Sequence, residues 1–313
     1  MNQHANVLPT FLLLGTNKAG TTTLYQALKQ HPQVFLPHKK ELHFFNDDFN
    51  YAKGADWYAR SFFGQAAGFA ARGDITPAYL YWGEKGVPRI KAVHGSEPPR
   101  MVVILRDPVG RAYSRYWHER RVEGREPLSF EEALEAEPDR LQADASTFGV
   151  RGRFPRAYFQ GGLYGAQLDR YFESFPRHLF HVILFEDLTR DFAATVRGLL
   201  AFLELDTTVV IAKRRSNPAS VVRAPQLDGW LRSRATVGKL ARRMGIMSSV
   251  RKLLRWTFLV PFTYPPVNPD TEQRLRQRYL PDVQKLEKLI GRDLSAWYPT
   301  GIPSASDPVE SIE

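Results

Sequence analysis

Residues 15 to 23 read Gly-Thr-Asn-Lys-Ala-Gly-Thr-Thr-Thr, a turn bounded by glycines that carries one lysine and runs into three hydroxyls. It follows the apolar run Phe11 to Leu14 and opens a stretch of helical pattern, Thr21 to Gln30. Backbone N–H groups at a helix N-terminus point into such a turn, the helix dipole favours an anion there, and glycine lets a phosphate approach the main chain. Lys18, Ala19, Gly20 and the hydroxyls of Thr21, Thr22 and Thr23 therefore form a candidate phosphate site. In nucleoside triphosphatases the lysine follows the second glycine; here it precedes it, and threonine stands in its place. Triphosphate transfer also needs a metal held by an acid at a second strand end, whereas Leu105-Arg106-Asp107-Pro108 presents arginine first. Arg106 offers a planar fork for phosphate oxygens, and Ser114, about two turns into the following helix, adds a hydroxyl. Together they make a second anion site. Asp107 reads as a helix cap rather than a metal ligand, and Arg111 as a salt-bridge partner.

Positioning two anion sites at strand ends requires a sheet. Phe11 to Leu14, Val34 to Leu36, Met101 to Leu105 and His181 to Phe185 have the length and composition of strands, and helical patterns follow them. Strands alternating with helices predict an α/β protein with a central, mainly parallel sheet covered on both faces, a three-layer fold. Residues 1–303 read as one domain. Polar, charged sequence at about 122–154 predicts a helical insertion or loop, and about 213–260 a basic helical segment. The helix Glu272 to Ile290 sets Leu275, Tyr279, Leu286 and Leu289 near one face, and residues 304–313 read as a disordered tail.

With 313 residues, 43% of them hydrophobic, the chain can bury a sizeable core. It has no cysteine, so neither a disulfide nor a thiolate metal site is possible, and a reducing, cytoplasmic setting is expected. The net charge of +10 attracts anionic partners. Zinc spacings, helix-turn-helix signals and RNP-like aromatic motifs are lacking, so nucleic acid is not an expected partner. The basic run from Arg232 to Arg255 is either a solvated face or a binding surface, and the apolar Leu253 to Phe262 either makes peripheral contact with an anionic membrane or is an ordinary core or acceptor-lid helix.

Lys18-Ala19-Gly20-Thr21-Thr22, together with Arg106 and Ser114, resembles the sulfotransferases that use 3′-phosphoadenosine 5′-phosphosulfate (PAPS), and the heparan-sulfate type most closely. Glu41-Leu42-His43-Phe44-Phe45 matches that type's Glu-x-His-Phe-Phe element, Trp57-Tyr58 its Trp-Tyr pair, Thr76-Pro77-Ala78-Tyr79 its Thr-Pro-Ala-Tyr stretch, and Gly162-Leu163-Tyr164 its equivalent segment. The similarity runs in motif order over roughly residues 10 to 205. It implies a P-loop-like fold, PAPS as sulfuryl donor with no metal, the 5′-phosphosulfate on the first site and the 3′-phosphate on Arg106 and Ser114. It also implies that Tyr164 and Arg214, the latter in Lys213-Arg214-Arg215, meet the donor.

The resemblance makes Glu41 the base that takes the acceptor proton and Lys18 the cation on the bridging oxygen. His43 has two readings: it orients Glu41 or the acceptor, or it is a half-buried structural histidine. His118 reads as structural. Phe44, Phe45, Trp57, Tyr79 and Trp82 are either a stacking surface for a sugar or core packing. Two departures stand out: Asp74-Ile75 replaces an acid and a lysine, and Asn46 an acid. The acceptor is a carbohydrate, lipid or small molecule, through oxygen or nitrogen, and oligomeric state is unspecified. Competing readings are a Mg²⁺-dependent P-loop kinase or triphosphatase, a basic nucleic-acid-binding protein, and a catalytically silent relative.

Overall fold

The computed structural model describes residues 7–122, 124–143, 155–214, 220–222, 259–261 and 264–299. Five strands, β1 (Phe11–Gly15), β2 (Val34–Phe35), β3 (Ala71–Ile75), β4 (Arg100–Leu105) and β5 (Phe180–Leu184), form one sheet in the order β2-β3-β1-β4-β5. Every neighbouring pair is parallel. Around it lie α1 (Thr21–Leu28), α2 (Asp48–Tyr51), α3 (Ala55–Phe63), α4 (Gly83–His94), α5 (Pro108–Trp117), α6 (Phe130–Glu135), α7 (Tyr164–Phe172), α8 (Phe185–Arg190), α9 (Phe192–Phe202) and α10 (Pro269–Ile290).

Successive strand residues point to opposite faces. Phe11, Leu13, Val102, Ile104 and Ile183 accordingly join one core with Leu24, Leu28, Val196 and Leu199. Leu12, Leu14, Met101, Val103 and Leu105 join another with Ile90, Val109, Leu168 and Leu286. This is why β1 and β4 read as unbroken apolar runs, and it makes the expected three layers.

β3 was not among the expected strands. Its sequence Ala-Arg-Gly-Asp-Ile has no apolar alternation, for reasons visible in the packing. Gly73 lies opposite Phe11, and a Cβ there would come within 2.2 Å of the Phe11 ring. Asp74 points into the interior and is fully buried. Within the insertion, residues 124–129 are irregular and 130–135 and 137–143 helical, with α6 opened by a Ser129–Glu132 capping box and Glu126 bonded to Arg140 and Tyr158. The expectation of a helical segment at about 213–260 is corrected at both ends, since Ser220–Val222 and Leu259–Pro261 pair as antiparallel strands β6 and β7. The β-branched residues there favour extended backbone. The basic residues Arg232 to Lys252 and the tail 304–313 lie outside the described residues.

Candidate active site

The carboxyl ends of β1, β3 and β4 meet at the loop 15–20. Gly20 caps α1 with φ 94°, a left-handed conformation that glycine adopts without strain. A Cβ on Gly20 would also press within 3.1 Å of Phe185 and 3.2 Å of Leu188. Arg106 leaves the end of β4, donates to the Lys18 carbonyl at 3.2 Å, and stacks 5.0 Å from the Phe185 ring centroid. The two anion sites expected from sequence are thus tied into one. Asp107 caps α5, accepting from the Val109 and Gly110 N–H groups at 3.2 Å, as its sequence position predicts. The Arg106 guanidinium lies over Gly110 on α5. Ser114 sits one turn further along that face.

The Lys18 ammonium is partly buried and makes no hydrogen bond or ion pair among the described residues. Burial, then the charges of Arg115 and Arg106 and, more weakly, Lys40, lower its pKa to about 8, with Glu119 opposing. Arg115 is paired with buried Glu119 and Lys40 stands beside Glu41, which leaves Lys18 and Arg106 as the cations at the loop that make no ion pair among the described residues.

The segment Lys40 to Phe45 closes one side of this cluster. The Glu41 N–H donates to the Ile75 carbonyl at 3.1 Å, and Glu41 and His43 both take left-handed backbone, φ 61° and 54°. Non-glycine residues rarely rest there unless surrounding contacts over-determine them. A hub built on Asp74 supplies those contacts. Its carboxylate accepts from the hydroxyls of Tyr58 at 2.7 Å, Thr76 at 2.6 Å and Tyr79 at 2.6 Å. The Thr76 oxygen in turn accepts from the Leu42 and His43 N–H groups, and the Tyr79 oxygen from those of Phe44 and Phe45. Four successive amides are thereby held from one buried carboxylate. Burial pushes the Asp74 carboxyl above its ordinary value, against the pull of the three hydroxyls.

Glu41 is held from both sides: Lys40 Nζ lies 3.7 Å from its Oε1 and His43 Nε2 3.8 Å from its Oε2. His43 Nδ1 lies 3.3 Å from the Asn46 side-chain amide. His43 is thus half-buried between Glu41 and Asn46, a placement that fits both readings made from the sequence. Lys40 also reaches back to the loop, 2.9 Å from Thr22 Oγ1 and 3.4 Å from Thr21 Oγ1.

Some sequence assignments are not brought together. Arg214 is exposed, and its neighbour Ala212 is tied to Gln30 beyond the far end of α1, about 12 Å from the loop at 1.5 Å per residue. The rest of that basic stretch, residues 215–219, lies outside the described residues. Tyr164 is fully buried, edge-on to Trp297, with no partner for its hydroxyl among the described residues. Arg111 is corrected from a salt-bridge residue to a buried donor to the Tyr158 carbonyl. Phe44, Phe45 and Tyr79 are core and cannot stack on a sugar, whereas Trp57 and Trp82 are partly exposed.

His118, structural by its place in the sequence, has a neighbourhood that the sequence does not show. It opens a short π-helical turn, His118–Val122, beyond α5. Burial, then the charges of Lys18 and Arg115, depress its pKa to about 3, so the imidazole near the lysine is neutral. The signal available was its position one turn past Ser114 on the same helix.

A parallel sheet whose first strand feeds a glycine-bounded loop and then a helix defines the P-loop-like class of α/β fold. The chain belongs to the sulfotransferase family: the family model described as Sulfotransferase domain matches residues 8–221. It is similar to the sulfotransferase crystal structure from Alicyclobacillus acidocaldarius, with a TM-score of 0.67 and 28% identity, covering 93% of this chain and 99% of that one. It is 27% identical over 294 residues to heparan sulfate glucosamine 3-O-sulfotransferase 5 of Mus musculus, covering 92% of this chain and 74% of that protein. It is also 33% identical over 142 residues to the membrane-associated sulfotransferase kil1 of Dictyostelium discoideum, 43% of this chain but only 29% of that protein's length. The protein is a sulfotransferase.

Proposed function

We propose that the protein transfers the sulfuryl group of PAPS to a hydroxyl or amine of a carbohydrate or glycoconjugate, in line, with Glu41 as base. The observation that carries this reading is the Lys18 ammonium, without an ion pair among the described residues, and the Arg106 guanidinium bonded to the Lys18 carbonyl, both at a glycine-bounded loop at the N-terminus of α1. The donor set fits a doubly phosphorylated nucleotide: loop amides and Lys18 for the 5′ end, the Arg106 fork with the Ser114 hydroxyl for the 3′-phosphate. When bound, PAPS supplies an activated sulfuryl group on a phosphate leaving group. Lys18 stabilises charge developing on the bridging oxygen, and Glu41 accepts the acceptor's proton. The carbohydrate class follows from the heparan-sulfate relative and remains part of the proposal. A kinase or triphosphatase reading is disfavoured because the acids at these strand ends are already engaged, Asp107 as a helix cap and Asp74 in its hydroxyl hub.

The test is calorimetric titration with 3′-phosphoadenosine 5′-phosphate (PAP) without added metal. Wild type is expected to bind, and Lys18→Ala and Arg106→Ala each to weaken binding by roughly ten- to a hundredfold, the worth of charge-assisted hydrogen bonds. No binding by folded wild type overturns the reading.

The same titration has a pH dependence. The Lys18 pKa of about 8 belongs to the protein without ligand, and a bound anion raises it. PAP affinity is therefore expected to be insensitive to this group below about pH 8 and to fall as pH rises above it, as free Lys18 loses its proton. Proton uptake on binding, read from the dependence of heat on buffer ionisation enthalpy near pH 8 to 9, checks the sign.

A further inference from the structure

Lys40 is the cation that neither the loop motif nor the base motif assigns. Its side chain bridges the two, 2.9 Å from Thr22 Oγ1 and 3.7 Å from Glu41 Oε1, while its charge reaches Lys18. Thr22 lies in the first turn of α1, beside the loop that receives the reacting end of the donor. Lys39, one residue earlier, is exposed and turned toward the Phe62 ring, so the two lysines have different environments.

Resting on the PAPS reading, we propose that Lys40 is a second catalytic lysine, which contacts the sulfuryl oxygens and at the same time holds the Glu41 carboxylate toward the acceptor. In the transfer, an acceptor oxygen or nitrogen forms a bond to sulfur as the bond from sulfur to the phosphate oxygen breaks. The electron pair of that bond leaves with PAP, and the acceptor proton passes to Glu41. Lys18 meets charge on the leaving side and Lys40 on the transferred group. The ammonium donates three hydrogen bonds, enough to keep Glu41 while exchanging a threonine hydroxyl for a sulfuryl oxygen.

PAP and PAPS distinguish this role, because PAP carries a phosphate dianion where PAPS carries two single charges on the phosphosulfate. General electrostatics therefore act nearly alike on both, and only PAPS offers sulfuryl oxygens. Equilibrium binding of both nucleotides to the full chain is compared for wild type, Lys40→Met and Lys39→Met. Lys40→Met is expected to weaken PAPS by about tenfold or more, the size of a charge-assisted hydrogen bond, while PAP changes less than about twofold. Lys40→Arg is expected to recover part of the PAPS affinity, and Lys39→Met to leave both nucleotides unchanged. Equal weakening of PAP and PAPS by Lys40→Met reduces Lys40 to a support for the loop and overturns the proposal, as does no change in either. Wild type that binds neither nucleotide overturns the donor assignment itself and the Lys40 role with it, a result distinct from a missing split.

Discussion

Glu41→Gln is expected to slow sulfuryl transfer by about 10²- to 10⁴-fold, the usual worth of a positioned general base. PAP affinity is expected to stay within about twofold of wild type. The substitution keeps the volume and one carbonyl oxygen, and it leaves the backbone contact from residue 41 to the Ile75 carbonyl intact. What it removes is the capacity to take a proton. Glu41→Asp keeps that capacity on a shorter stem and should fall between the two. The measurement is single-turnover transfer of labelled sulfate from PAPS to a glycan acceptor that wild type sulfates. Transfer by Glu41→Gln at the wild-type rate would remove Glu41 from the mechanism and turn attention to the neutral His118 near Lys18.

The second large effect is on stability. Tyr79→Phe is expected to destabilise the fold by about 2–4 kcal/mol, because it deletes one hydroxyl and leaves two buried groups short of a partner. The Tyr79 oxygen accepts from the Phe44 N–H at 3.0 Å and donates to Asp74 at 2.6 Å, and the ring itself is fully buried. The phenyl replacement opens little space, so the loss is one of hydrogen bonding rather than packing. Thr76→Val should act similarly through Leu42. Chemical denaturation of wild type and both variants checks the size. A change below about 0.5 kcal/mol would mean that the four amides find other partners.

The same hub explains what could and could not be read from the sequence. β1, its loop and α1 were legible, because an apolar run ending in glycine, lysine and threonines leaves few alternatives. The resemblance located Glu41 and His43, and the structure brings them together. β3 was not legible: Gly73 is required by the Phe11 ring, and Asp74 by the hydroxyls it gathers, so the residues that build the site erase the strand's apolar signature. Sequence registered Asp74 only as part of a departure before Thr76. Phe44 and Phe45 could have been core or sugar platform from their type alone, and only their neighbours decide it. Arg111 had no visible partner because it donates to a backbone carbonyl 47 residues away. Lys40 and His118 could not be placed from sequence because the loop they approach, around Lys18 and Thr22, is distant in the chain.

One contact made far from the chemistry bears on how the chain is put together during synthesis. The first turn of α7 begins without a cap of its own, and the Gly165 and Ala166 N–H groups donate instead to the Asp282 carboxylate on α10, each at 2.8 Å. Tyr279, one turn earlier on α10, donates to the Phe159 carbonyl at 2.9 Å. More than a hundred residues must therefore leave the ribosome after Gly165 before its amide finds that partner. Until then the start of α7 has open donors, which water or a chaperone must satisfy. A nascent chain halted before Asp282 should accordingly hold the α1 half of the sheet in better order than α7, with proteolysis concentrating at residues 158–166.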